Sequence, residues 1–270
     1  YVSYGVASTP TYAWARGARV SGRITDYLFF QAELTEHSDR LPRTSYSSKV
    51  LAPRVDDPVQ YGETIGYYNA TGIVGLRTRF FEVRFGRDRN RWGPGTGSLL
   101  LSHYASPYEQ LQIRTTVGPF QYTNLFAGLS EPRLRPSDPA TAPMFAVPRK
   151  YAAMHSLAVD LPGRVELAFF ETVVFGTDSL GMRQGFDLSY LNPVIFYRAV
   201  ERDRGSPDNV LLGASAAWVP AGGLRLYAQF LLDELQVGQI GKGWWGNKWG
   251  WLAGAHLADL PLPGLSVRLE

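Results

Sequence analysis

The sequence has no cysteine. That excludes disulfides, thiolate metal sites and cysteine nucleophiles, and it suits a compartment where stray thiols are a liability. There is also no run of the roughly 18 consecutive apolar residues that a membrane-crossing helix needs. A helical membrane protein is therefore excluded. A β-barrel is not, because its lipid face uses only every second residue and the average hydropathy stays mild. Charge of one sign is scarce as well. The formal net charge is +3 and the arginines are spread along the chain, which argues against nucleic acid as a partner.

Catalytic signatures are missing in the same way. Gly213-Ala-Ser-Ala-Ala217 lacks the closing glycine of a nucleophile elbow. The four histidines, His37, His103, His155 and His256, lie far apart and show no metal-ligand spacing. His103 beside Ser102 reads as a hydrogen-bonded loop residue. The expectation is no enzyme, no cofactor and no metal. A lumenal carboxylate pair formed in space is the one catalytic arrangement that sequence leaves open.

What the sequence does have is aromatic residues, glycine and alternation. Tyr, Phe and Trp make up 13% of the chain and Gly occurs 28 times. Tyr and Trp favour boundaries where one end of the ring is dry and the other wet. Period-two patterning recurs throughout. Leu224, Leu226, Ala228, Phe230 and Leu232 oppose Arg225, Tyr227, Gln229 and Asp233. Leu28, Phe30, Ala32 and Leu34 oppose Gln31, Glu33 and Thr35. Phe81, Val83 and Phe85 oppose Glu82 and Arg84, and Leu111, Ile113 and Val117 oppose Gln112, Arg114 and Thr116. Trp249, Trp251, Ala253, Ala255 and Leu257 oppose Lys248 and His256, while Leu265, Val267 and Leu269 oppose Ser266, Arg268 and Glu270. Over Arg164–Phe175 the carboxylate of Glu171 lands on the apolar face, which predicts a bulge or a strand end.

Turn signals set a polarity. Short turns fall near Thr25–Asp26, Arg77–Arg79, Gly118–Pro119, Leu161–Gly163, Pro220–Gly223 and Pro261–Gly264. Long polar connections fall at His37–Tyr61, Asn90–Glu109, Ser130–Arg149 and Leu235–Gly246. Short turns on one side and long loops on the other is the outer-membrane arrangement, with the long loops outside. The expected fold is an all-β, antiparallel transmembrane barrel, with about 13 strands in residues 1–270 as one domain that lacks its last strands at the C-terminus. A soluble β-sandwich also alternates. Its strands average about five or six residues, however, and it does not line its inside with Arg, Glu, Gln and Asp.

Four segments carry candidate function. Gly86-Arg-Asp-Arg-Asn-Arg-Trp-Gly-Pro-Gly-Thr-Gly97 is glycine-rich but lacks the P-loop lysine and a following helix. A lumenal charge network is expected there from Arg87, Asp88, Arg89 and Arg91, with Arg198 and Glu201 adding to it. Trp92, Gly93 and Gly95 would fold that loop inward. The second segment is Leu99–Gln110. In the third, Tyr190–Glu201, Asn192 and Pro193 would structure the loop. The fourth is Gly241-Lys-Gly-Trp-Trp-Gly-Asn-Lys-Trp-Gly250. Indoles stack on the apolar faces of pyranose rings, and amides or cations bond the hydroxyls. Trp244, Trp245, Asn247 and Lys248 are thus candidate glycan contacts, although an aromatic girdle at the membrane edge explains paired tryptophans equally well.

These segments, with Lys150–Leu161 and Glu166–Gly176, resemble the Wzi-type capsule assembly proteins of Gram-negative outer membranes. The likeness is closest to a Bacteroidetes-like branch that includes gliding-motility-associated members. It runs from about Gly66 to Leu257, with the motifs in the same order, and residues 1–61 add little to it. The resemblance implies a barrel of about 18 strands that binds or anchors surface polysaccharide without catalysis. It implies outer-membrane lipid and lipopolysaccharide as surroundings. Two other roles stay open: a scaffold in a gliding, adhesion or secretion complex with protein partners, and a porin-like channel.

Overall fold

In the computed structural model the described residues are 11–40, 56–130, 135–136, 149–176, 186, 188–192, 209–233, 238, 241–244, 246, 248–259 and 262–270. They form one antiparallel meander. Its strands are β1 (Tyr12–Arg23), β2 (Leu28–Arg40), β3 (Asp56–Tyr61), β4 (Thr64–Arg77), β5 (Phe81–Asp88), β6 (Tyr108–Val117) and β7 (Phe120–Ser130). It continues with β8 (Arg135–Pro136), β9 (Arg149–Leu161), β10 (Val165–Phe175), β11 (Asn209–Ala221), β12 (Leu224–Asp233), β13 (Lys248–Ala258) and β14 (Ser266–Leu269). Twelve of them make a continuous wall in chain order, while β3 and the two-residue β8 lie off it. The sequence reading expected a long loop over His37–Tyr61. In the structure β2 reaches Arg40 and β3 doubles back on β4 within that stretch. No helix among the described residues is long and apolar enough to cross a membrane, and the wall is that of a transmembrane β-barrel.

Alternation decides what each face meets. On β12 and β13 the residues Ala228, Phe230, Trp249, Trp251 and Ala253 are exposed on one face. Trp249 is 65% exposed and Trp251 67%. Phe85, Val74, Leu34 and Phe169 continue this apolar face on other strands. It is the lipid face of the barrel. The opposite, lumenal face carries Tyr227, Gln229, Gln112 and Gln110, all buried.

The middle of the wall is covered on both faces. Tyr108, Leu125, Ala127, Ala152 and Met154 pack on the lumenal side with Trp92 and Leu101. Their immediate neighbours in the chain, Phe126 and Ala153, pack on the outer side with Val173, Phe175 and Val210. There a short 3-10 helix (Leu188–Leu191) lays Tyr190 against Phe175, ring centroids 4.7 Å apart. Strands β7, β9 and β10 therefore feed two cores at once. Glu171 lies in the same part of the wall. No bulge interrupts β10, whose register with β9 and β11 runs unbroken through Glu171, opposite His155 and Leu212. Glu171 sits on the outer face by parity, and it is buried. The irregular register lies instead in β11, between Trp218 and Ala221.

Candidate functional site: an infolded loop and the pocket beneath it

The connection between β5 and β6 does not project from the barrel rim. It folds onto the lumenal face and reaches β12. The fold begins where the glycines allow it. Gly93 and Gly95 have φ of 93° and 103°, a region that L side chains rarely enter. A Cβ at Gly93 would lie 2.9 Å from Gln229 Nε2, and one at Gly95 would lie 3.0 Å from Tyr227 Cε2. Absence of a side chain is thus required both by the backbone and by the wall it touches. The Trp92 amide donates to the Leu101 carbonyl at 3.0 Å, closing the loop on itself.

Gln229 of β12 is the main tether. Its Oε1 accepts from the Leu99 amide at 2.8 Å and from the Ser98 hydroxyl at 3.1 Å. Its Nε2 donates to the Pro94 carbonyl. A second tether is Glu270, which accepts from the Thr96 amide at 2.8 Å, the Gly97 amide at 3.4 Å and the Tyr227 hydroxyl at 3.1 Å. Arg268 Nη1 donates to Thr96 Oγ1 at 2.9 Å. Apolar contact completes the seat. Trp92 meets Phe170 edge-on, with centroids 5.8 Å apart and planes at 78°. Leu100 is buried above Gly213, where a side chain would collide with it.

The stem of the loop is equally well bonded. Asn90 Nδ2 donates to the Tyr108 hydroxyl at 3.0 Å and to Gln110 Oε1, and Gln112 Nε2 donates to Asn90 Oδ1 at 2.9 Å. Arg89 donates through Nε to the Ala105 carbonyl at 2.7 Å and through Nη2 to Asn69 Oδ1 at 2.6 Å. Asp88 accepts from the Arg89 amide at 2.8 Å.

The residues expected to form one lumenal charge network separate in the structure. Asp88 and Arg89 lie on the lumenal side. Arg87 does not: it alternates with Asp88, shares the face of Phe85 and pairs with Glu109 across β6 at 3.3 Å. The reason is the strict period of two, which still holds at the last residues of β5. Arg91 lies further along, at the edge of a cavity. Arg198, Glu201 and Pro193 fall outside the described residues. Asn192 follows the 3-10 helix directly. Strand charges that were not singled out supply ion pairs on the lumenal face. These are Arg19–Glu33, Arg77–Glu82 at 2.6 Å and Arg84–Glu82 at 2.9 Å.

Of the four candidate glycan contacts, Trp244 is half-buried, with its ring over Gly246. Lys248, the first residue of β13, pairs with Asp233 at 3.6 Å. Trp245 and Asn247 fall outside the described residues. This end of β13 lies at the long-connection side of the wall, next to the lipid-facing Trp249 and Trp251.

Beneath the infolded loop, in the half of the wall next to the short turns, lies a cavity of about 410 Å³. Arg91 and the backbone of residues 93–95 form its roof, and Glu166, Arg225, Tyr227, His256 and Arg268 form its wall. These wall residues come from β10, β12, β13 and β14. Sequence reasoning placed Arg225, His256 and Arg268 on polar strand faces but not together. Only the register unites them, since Arg225 pairs opposite His256, and His256 opposite Arg268.

Comparison with known proteins gives one family match and two structural likenesses. The family model described as capsule assembly protein Wzi matches residues 40–270. No curated protein matches the chain. Among solved structures, the chain is similar to OccK8 (OprE) of Pseudomonas aeruginosa, with 10% identity over 96% of this chain and 77% of that one, and a TM-score of 0.42. It is also similar to a mutant of the ferric enterobactin receptor PfeA of Pseudomonas aeruginosa. There the identity is 13% over 92% of this chain and 39% of that one, with a TM-score of 0.35.

Proposed function

Because the chain belongs to the capsule assembly protein Wzi family, an outer-membrane family, we propose that it holds surface polysaccharide at the cell exterior without transforming it. The observation that carries this reading is the infolded loop. A channel needs an unobstructed lumen. Here residues 92–101 are fastened across the lumenal face to Gln229. A loop fastened to the lumenal face suits an anchor or receptor better than a pore.

In this reading the outer ends of the strands present the polysaccharide contacts. Trp244 and Trp245 offer ring faces to sugars, and Asn247 and Lys248 offer polar groups. The exposed Trp249 and Trp251 face lipid and the sugar headgroups around the barrel. The test is capsule retention on intact cells, with glycan-array binding by the purified protein. Trp244→Ala with Trp245→Ala is expected to release polysaccharide into the medium and abolish glycan binding while barrel folding is kept. Retention and binding equal to the unaltered protein would remove this site from the reading.

The scaffold reading takes the two-sided middle of the wall as its support. The outer core under Tyr190 puts protein, in place of lipid, against β7, β9 and β10. Recovery of a stoichiometric protein partner from native membranes, with no glycan, favours that alternative.

A further inference from the structure

The cavity under the loop brings three guanidinium groups together. Arg225, His256 and Arg268 occupy one row across β12, β13 and β14 on the lumenal face. Arg225 and Arg268 each lie directly opposite His256, so the two guanidinium groups flank the imidazole from strands about 10 Å apart. Arg91 closes on the same cavity from the loop above. Among the described residues no carboxylate lies within ion-pair distance of Arg91, Arg225 or Arg268, whereas Arg19, Arg77 and Arg84 on the same face each pair with a glutamate. Two carboxylates are near. Glu166 lines the cavity and makes no ion pair there. Glu270 is engaged by the Thr96 and Gly97 amides and the Tyr227 hydroxyl. Three fixed positive charges against two negative ones leave the cavity positive even with His256 neutral.

From this convergence we infer that the cavity is a binding site for an oxyanion carried on a saccharide, a carboxylate or a phosphate. Guanidinium groups bind planar or tetrahedral oxyanions through paired N–H bonds. The His256 ring, already bonded to Ser266 Oγ at 2.9 Å, and the Tyr227 hydroxyl line the same space for sugar hydroxyls. The volume falls in the range of small-ligand sites, about 300–1,000 Å³. The cavity lies by the short turns, on the periplasmic side of an outer-membrane barrel. It is therefore separate from the outer rim where Trp244 sits, with the loop between the two. A bound anion would bridge the loop at Arg91 to the wall at Arg225, so occupancy would fasten the loop further. The choice of a saccharide rests on the polysaccharide reading. The anion site itself rests on the arginines alone.

The experiment is calorimetric titration of the full-length protein in detergent with three probes: a glucuronate-containing oligosaccharide, glucose 1-phosphate and a neutral glucan. At least one charged probe is expected to bind, and the affinity to fall as ionic strength rises. Arg91→Gln and Arg225→Gln are each expected to weaken that binding about tenfold or more. Arg91 is on the loop and outside the strand ladder, so its variant tests the site even if Arg225→Gln fails to fold. Binding of the uronate alone identifies a carboxylate as the ligand group, and binding of the sugar phosphate alone identifies a phosphate. Glucose 1-phosphate binding that depends on Arg91 stands whether or not the Trp244→Ala and Trp245→Ala protein releases polysaccharide, which separates this site from the outer-rim reading. No binding of either charged probe, equal binding of the neutral glucan, or equal affinity in a folded Arg91→Gln variant would overturn the inference.

Discussion

Gln229 accepts the Leu99 amide at 2.8 Å, across 130 residues of sequence. With the Pro94 carbonyl on its nitrogen and Ser98 on its oxygen, this one amide bonds three groups of the loop, and for the Leu99 amide and the Pro94 carbonyl it is the partner that replaces water. Gln229 is therefore the most heavily bonded of the loop's anchors, ahead of Glu270.

Replacing Gln229 with Leu keeps the volume and removes the bonds. Each buried backbone group left without a partner costs about 1–3 kcal/mol. The loop is expected to detach while the wall persists. Planar-bilayer recordings should show greater conductance for Gln229→Leu than for the unaltered protein, and limited proteolysis should cut within residues 92–101. Unchanged conductance together with unchanged protease resistance would mean the loop is held by other means.

Three glycines of the loop give a graded comparison. Gly95→Ala forces a side chain at φ 103° and against Tyr227, at a cost of about 1–3 kcal/mol. At Gly97 φ is not left-handed, and the nearest atom to a Cβ is Glu270 Oε1 at 4.0 Å, so alanine is accepted there. The expected order of thermal midpoints is Gly97→Ala above Gly95→Ala, with Gly93→Ala falling alongside Gly95→Ala.

Trp92 and Phe170 form an edge-to-face pair. Such pairs contribute about 0.5–1.5 kcal/mol beyond the area they bury. A double-mutant cycle with Trp92→Ala and Phe170→Ala, read by thermal or urea unfolding in detergent, should return a coupling in that range. A coupling of zero would show that the two rings stabilise independently.

Ala228 lies in the middle of β12 on the lipid face. An arginine near the bilayer midplane of a barrel costs about 2–4 kcal/mol. Ala228→Arg is expected to lower folding stability in lipid vesicles by that order, and Ala228→Leu to leave it equal or higher. If Ala228→Arg folds as stably as Ala228→Leu, this face does not contact lipid.

Much of the fold was legible because alternation is a local property. Leu224 to Leu232 and Trp249 to Leu257 sort their side chains by position alone, and the structure puts those sets on the lipid face. The short turns were equally local, marked by residues such as Gly118, Gly163 and Gly223, all with positive φ. Other features depend on what lies across the sheet. Glu171 looked like a fault in its strand, since nothing nearby in sequence announces that His155 lies opposite it and is buried with it on the outer face. Arg87 was grouped with its neighbours by proximity, whereas parity sends it to the other side. The inward fold of residues 86–97 was legible from its glycines and Trp92, yet its tethers, Gln229 and Glu270, lie more than 130 residues away. The arginine row was invisible for the same reason. Arg225, His256 and Arg268 become neighbours only once β12, β13 and β14 are in register.

These long-range tethers impose an order of events. The loop follows β5, and its anchors lie on β12 and just after β14, with separations of 130 and 174 residues. Contacts that distant in sequence form late, after the intervening chain has been ordered. While β12 and β14 are still unpaired the loop has nowhere to dock, and its amides remain hydrated. Docking then occurs as those strands join the wall. Protection of the Leu99 and Thr96 amides from hydrogen exchange thus serves as a clock for barrel assembly, starting only when β12 and β14 have taken their places.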